Sequence, residues 1–210
     1  DGDLDYITIG VYNQVASRIV YKTNDGTGEF SELKVLVPST NSSVSKFVIL
    51  DVDQDGLNDI VFIDASDFYK FKWLKNLGNE NYSSPISTTV MNSGNLTDLF
   101  AIDIDNDGDT DLIQAENAFS GTFSINLNMG NSTFGPVSVI NTGAVYVKKL
   151  KFYDINQDGL LDAVYTTNNA GLSNWKTAYS LNLGGGSFGP EIIVANPSSS
   201  SNIFFLQTDS

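Results

Sequence analysis

Cysteine and histidine never occur in this sequence. Without cysteine there is no disulfide and no thiolate, and together the two absences remove the usual zinc ligands. They also remove the commonest general base, so neither a Cys–His nor a Ser–His nucleophile pair can be assembled. Long hydrophobic runs are lacking too. No stretch approaches the roughly 18 apolar residues that suggest a membrane-spanning helix, so no membrane span is expected. The opening residues, DGDLDYITIG, lack the basic-then-apolar order of a signal peptide. Positive charge is scarce: 11 basic residues stand against 25 acidic ones, a formal net charge of −14. Such a surface repels phosphate backbones and anionic lipid headgroups, so no nucleic-acid partner is expected.

What is present repeats. DVDQDGLND occupies 51–59, DIDNDGDTD occupies 103–111 and DINQDGLLD occupies 154–162. A second signature runs in phase with the first: NDGTGEF from Asn24, NLGNENY from Asn76, NMGNSTF from Asn128 and NLGGGSF from Asn182. Between the signatures lie short β-branched and aromatic runs such as KFVIL (46–50), DIVFID (59–64) and KFKWLKN (70–76), bounded by Gly, Asn, Ser and Pro. No segment carries a sustained 3.6-residue apolar period. Each unit of about 52 residues therefore holds about four strands, and four-stranded units at this period suit an all-β propeller.

The two chain ends complete the pattern. Joined, they read QTDSDGDLD, a fourth acidic motif running from Gln207 through Asp209, Asp1 and Asp3 to Asp5. The expectation is one repeat domain over 1–210: a β-propeller of four four-stranded blades, closed by pairing of the N- and C-terminal strands, or part of a larger propeller. The segment NIFFLQ (202–207) would then be the first strand of the blade that continues at Tyr6. Self-association across the terminal seam is the alternative way to complete it.

The acidic motif has the chemistry of a calcium loop. Calcium takes six to eight oxygens in flexible geometry, and a nine-residue loop with oxygens at positions 1, 3, 5, 7 and 9 supplies them. Asp51, Asp53, Asp55 and Asp59 provide carboxylates in the first loop, with the Leu57 carbonyl at position 7. Asp103, Asp105, Asp107 and Asp111 do so in the second, with Asp109 at position 7. Asp154, Asn156, Asp158 and Asp162 form the third set, with Leu160 at position 7. The seam set is Gln207, Asp209, Asp1 and Asp5, with Asp3 at position 7. The four motifs hold sixteen of the 25 acidic residues, which a merely solvated acidic surface would not concentrate in this way. Four calcium ions would add eight positive charges and take the net charge from −14 to −6. An EF-hand is excluded: loop position 12 would need glutamate, and it is Phe62, Gln114 or Tyr165, with strands rather than helices on each side.

The acidic loops, together with N-x-G-x-x-x-F and the Phe134-Gly135-Pro136 and Phe188-Gly189-Pro190 corners, resemble the FG-GAP/VCBS repeat family. Phe30-Ser31 and Tyr82-Ser83-Ser84-Pro85 depart from the corner pattern. The resemblance implies propeller blades with calcium in the hairpin between each blade's first two strands, as in integrin α-chains, fungal lectins and bacterial surface proteins. It implies a secreted or cell-surface recognition and adhesion module binding a protein or glycan, and not an enzyme. A lectin proper and a purely structural scaffold of a larger surface protein are the alternatives within that class. A glycan-active enzyme domain is the rival class, but Asp64, Asp67 and Glu116, outside the loops, form no recognisable catalytic set. The loops after each second strand, at 12–18, 65–70, 116–122 and 168–175, carry Phe68, Tyr69, Phe119 and Trp175 as candidate ligand contacts; Trp73 reads as core.

Overall fold

The computed structural model describes residues 3–12, 16–36, 43–88, 90, 96–116, 121–142, 146–168 and 175–196. The described residues contain strands, turns and bends, and no helix long and apolar enough to cross a membrane. The chain divides into two compact units, Asp1–Asn92 and Ser93–Ser210.

The first unit holds two antiparallel sheets. One is the meander β1 (Tyr6–Tyr12), β2 (Ala16–Lys22) and β3 (Lys34–Val35). The other runs β4 (Val44–Leu50), β5 (Asp59–Asp64), β6 (Lys70–Leu74) and β7 (Ile86–Ser87), in that order. The second unit begins with an analogous four-stranded sheet, β8 (Leu96–Ile102), β9 (Asp111–Glu116), β10 (Thr122–Asn126) and β11 (Ser138–Asn141). It continues with β12 (Tyr146–Tyr153), β13 (Asp162–Asn168), β14 (Trp175–Ser180), the small hairpin β15 (Asn182–Gly184) and β16 (Ser187–Phe188), and β17 (Ile192–Ala195), which pairs with β14.

Aligned on the repeats, β1 to β3 correspond to strands two to four of the other sheets. The strand expected at 202–207 lies outside the described residues.

Within each four-stranded sheet burial falls from the second strand to the fourth. All residues of β5 and β13 are buried, consistent with apolar packing on both faces. The fourth strands β7, β11 and β17 are only two to four residues long and mostly exposed. Edges this short offer little template for further strand pairing. In all three sheets the pairing of first and second strands slips near its start, between Val44 and Phe47, Leu96 and Asp98, and Val147 and Lys149.

The core of the first unit gathers Ile19, Val44, Ile60, Phe62 and Leu74, with the signature aromatic Tyr82 against it. In the second unit Phe123 is the hub: Phe152, Tyr165 and Phe188 surround it at centroid distances of 6.4, 6.3 and 5.5 Å. Phe188 ends a signature, so that motif's aromatic is a packing element. Trp73 is buried in β6, as a core residue would be.

Candidate functional site

The acidic motifs at 51–59, 103–111 and 154–162 each form the hairpin loop between the first and second strands of their sheet, and the three loops share one hydrogen-bond plan. The position-1 aspartate accepts the amides of positions 5 and 6. Asp51 takes Asp55 N and Gly56 N at 3.2 and 2.8 Å; Asp103 takes Asp107 N and Gly108 N; Asp154 takes Asp158 N and Gly159 N. The position-5 aspartate accepts the amide of position 7: Asp55 from Leu57, Asp107 from Asp109 and Asp158 from Leu160, at 2.8–2.9 Å. Position 4 is left-handed in every loop (Gln54, Asn106 and Gln157, φ 59–63°) although none is glycine. Gly56, Gly108 and Gly159 at position 6 are left-handed as well, which a glycine adopts at least cost.

The position-9 aspartate joins the two signatures. Asp59 accepts Val52 N at 3.0 Å and Asn76 N at 2.7 Å; Asp111 accepts Ile104 N and Asn128 N; Asp162 accepts Ile155 N and Asn182 N. One fully buried carboxylate thus fixes both the start of its own loop and the asparagine that opens the N-x-G hairpin, 17 to 20 residues further along. The asparagine side chains complete the clasp. Asn76, Asn128 and Asn182 accept the amide of the glycine two residues on, and Asn76 and Asn182 donate to the carbonyls of Asn58 and Leu161. The first repeat follows the same plan: Asp5 accepts Asn24 N at 2.9 Å, Asn24 accepts Gly26 N, and the Asp3 carboxylate lies against Gly26 where a Cβ would meet it at 2.9 Å. Asp3 and Asp5 are thus the described part of the seam motif; Gln207, Asp209 and Asp1 lie outside the described residues.

The atypical corners are accommodated by a hydroxyl. Where other units carry Gly135 or Gly189, Ser31 and Ser83 keep the same backbone bond and also accept Thr23 N and Lys75 N at 3.0 Å.

Among the described residues two groups of three carboxylates converge, Asp51–Asp53–Asp59 and Asp103–Asp105–Asp111, with one oxygen of each member within 4.8 Å of the others. Asp53 Oδ1 and Asp105 Oδ1 are buried without a hydrogen-bond partner. An unpartnered buried carboxylate oxygen is costly, and a hard cation accepting oxygen ligands removes that cost. Burial pushes Asp111 up to about 7, and the charges of Asp105 and Asp107 push the same way. Asp59 is raised for the same reasons, burial first and then Asp53 and Asp55; Asp105 is raised by burial and by Asp107 and Asp103. Mutual repulsion of this kind is what a divalent ion offsets. The donor set therefore fits calcium. The third loop differs: Asn156 stands at position 3 and its amide bonds Asp158 at 2.7 Å, and its three aspartates do not form such a group.

One participant gave no sign in the sequence. Lys75, in the residue before the signature asparagine, pairs its ammonium with Asp53 and, at 2.8 Å, with Asp55. The bond from Lys75 holds Asp55 below the ordinary carboxylate range, and Asp53 first, then Asp55, raise Lys75.

At the other end of the same sheet, β5 and β6 are joined by a turn in which Lys70 N bonds Asp67 O at 3.0 Å. Its two central residues, Phe68 and Tyr69, are both left-handed, at φ 51° and 56°, and are 88% and 43% exposed. Asparagine and glycine favour that turn; two aromatics there are strained. The base is rigid: buried Asp64 accepts Ser66 N, Ser66 Oγ and Lys72 Nζ, and Lys72 also pairs with Asp67. Trp175 opens β14 and is partly buried, while Phe119 lies outside the described residues.

The family model described as FG-GAP-like repeat matches residues 1–62 and again 51–114. No curated protein sequence matches the chain. Among solved structures it is similar to an Agrocybe aegerita lectin described as specifically recognising non-reducing terminal N-acetylglucosamine, with a TM-score of 0.64 and 18% identity over 96% of this chain and 51% of that one. This chain therefore spans about half the lectin's length, and the likeness is one of fold. A weaker likeness, TM-score 0.42 at 18% identity over 85% of this chain and 8% of the other, is to the Photorhabdus luminescens Tc holotoxin pore.

Proposed function

The chain belongs to the FG-GAP-like repeat family, and from that premise we propose that it is a calcium-stabilised recognition module, secreted or at the cell surface, that binds a protein or glycan. Its sheets act as blades of a β-propeller, four closing on themselves through the N- and C-terminal strands or belonging to a larger ring. The role is binding and not catalysis: the clustered acids are committed to loop structure, and Asp64 and Asp67 to ion pairs with Lys72.

The observation that carries this reading is the convergence, in two repeats, of three loop carboxylates, one of which in each group has a buried oxygen without a hydrogen-bond partner. Asp51, Asp53 and Asp59 would hold one ion and Asp103, Asp105 and Asp111 another, with Asp55, Asp107 and the carbonyls of Leu57 and Asp109 available to complete the oxygen count. Asp154, Asn156, Asp158 and Asp162 with Leu160 form a third, more neutral site, and Asp3 and Asp5 belong to the fourth. Calcium supplies positive charge there, which fixes hairpins that would otherwise repel themselves. Loops so fixed hold the opposite sheet ends, and the Phe68–Tyr69 tip is the contact this reading favours: strain retained at an exposed aromatic turn marks a functional position. Support for a glycan comes from the fold shared with a lectin.

Calorimetric titration of metal-stripped protein with calcium tests the reading. Saturable heat at two or more sites per chain is expected, and Asp53→Asn with Asp105→Asn should remove most of it. Absence of heat would refute the calcium role.

A further inference from the structure

The loops at 51–59 and 103–111 share carboxylates but differ in what stands beside them. Ahead of signature asparagines Asn128 and Asn182 the residues are Leu127 and Leu181, and Leu127 packs against the apolar core. Ahead of Asn76 the residue is Lys75. Its ammonium bonds Asp53 and Asp55, positions 3 and 5 of the loop. The chain delivers it there on a fixed strut, because Asn76 is tied to the loop through Asp59 and through the Asn58 carbonyl. Among the described residues no ion pair reaches Asp103, Asp105, Asp107 or Asp111.

Resting on the calcium reading above, we infer that Lys75 is a built-in counter-ion: it holds loop 51–59 in shape when calcium is absent and weakens calcium there by competing for Asp53 and Asp55. Loop 103–111, with leucine in that place, has, among the described residues, no ammonium on the equivalent ligands Asp105 and Asp107. A divalent ion entering the first loop meets a like charge bonded to two of its ligands and must displace or tolerate it. Discounted for solvent screening, that repulsion corresponds to about tenfold in affinity. The two loops of one chain thus fill in order, 103–111 before 51–59, and complete metal loss loosens loop 103–111 more than loop 51–59.

Amide exchange and calcium titration, both followed by NMR, test this. In excess chelator the amides of Asp55, Gly56 and Leu57 should exchange about tenfold more slowly than those of Asp107, Gly108 and Asp109. On titration the Gly108 signal should saturate at lower calcium than Gly56. Lys75→Leu should erase the exchange difference and tighten calcium at Gly56 about tenfold; Lys75→Gln, neutral and of similar length, serves if the leucine variant fails to fold. Leu127→Lys should slow exchange in the second loop and weaken its calcium. Calcium response at both glycines with neither quantity moved by the Lys75 variants would overturn the counter-ion role alone. No response at either glycine in the wild type would overturn the calcium reading and the competition with it.

Discussion

Replacing Asp162 isolates the joint on which each repeat depends. Its carboxylate is fully buried and accepts two backbone amides, Ile155 N at 2.9 Å and Asn182 N at 2.8 Å. Alanine leaves both amides without an acceptor, and a buried orphan donor costs about 1–3 kcal/mol. The expected loss is therefore about 4 kcal/mol, a large share of the stability of an ordinary domain. Asparagine keeps one acceptor oxygen and should lose about half as much. Urea denaturation in excess chelator measures this loss without any contribution from metal. Hydrogen exchange at Ile155 and Asn182 should accelerate together in the variant, although the two residues lie in different motifs. A stability change below about 0.5 kcal/mol for Asp162→Ala, or acceleration at only one amide, would refute the claim that one carboxylate clasps both signatures.

Further outcomes follow from the same structure. Phe68→Asn with Tyr69→Gly should raise stability by about 1–2 kcal/mol, because the new residues suit the left-handed turn; thermal melting checks this, and glycan arrays and pull-downs of the variant should show lost binding. Burial pushes Asp64 upward, but its bonds from Ser66 and Lys72 outweigh it and hold the group below the ordinary carboxylate range. Asp64→Ala should therefore cost about 3 kcal/mol near neutral pH. A lowered folded pKa stabilises above the unfolded value and is lost as pH falls through the folded one, so urea curves of wild type and variant should converge as pH drops below the ordinary carboxylate value of about 4. Asp105→Asn should abolish the calcium response of Gly108 and leave that of Gly56 in place, read by the same NMR titration.

The repeat, the strand content and the loop positions were legible because each rests on local chemistry. Alternating carboxylates around Gly56, Gly108 and Gly159 need that spacing to form a loop, and DIVFID needs two covered faces. The clasp from Asp59 to Asn76 was not legible. Both residues were singled out, but the bond spans 17 residues and appears only when the hairpins fold back. The left-handed position 4 was also hidden, since Gln54 and Gln157 carry no turn signal and the loop's carboxylate–amide bonds impose the conformation. Lys75 read as one more residue of a strand, and its reach to Asp53 and Asp55 depends on the distance between two hairpins. Likewise Phe68 and Tyr69 could be named as loop aromatics, while their strain arises from the inner turn, closed by Lys70 N on Asp67 O, within the five residues that the β5–β6 register leaves. Ser31 and Ser83 looked like departures from the corner pattern, and their hydroxyls turn out to serve it.

Thermal melting of metal-stripped protein across a calcium titration addresses the central claim most directly, namely that the acidic loops fold around a divalent ion. At a hundredfold excess over the dissociation constant each site adds about 2.7 kcal/mol, so two sites should raise the melting temperature by roughly 10–20 °C. Magnesium at the same concentration should do much less, because it keeps its waters and prefers a stricter octahedron. Melting curves that coincide in chelator and in saturating calcium would contradict the account.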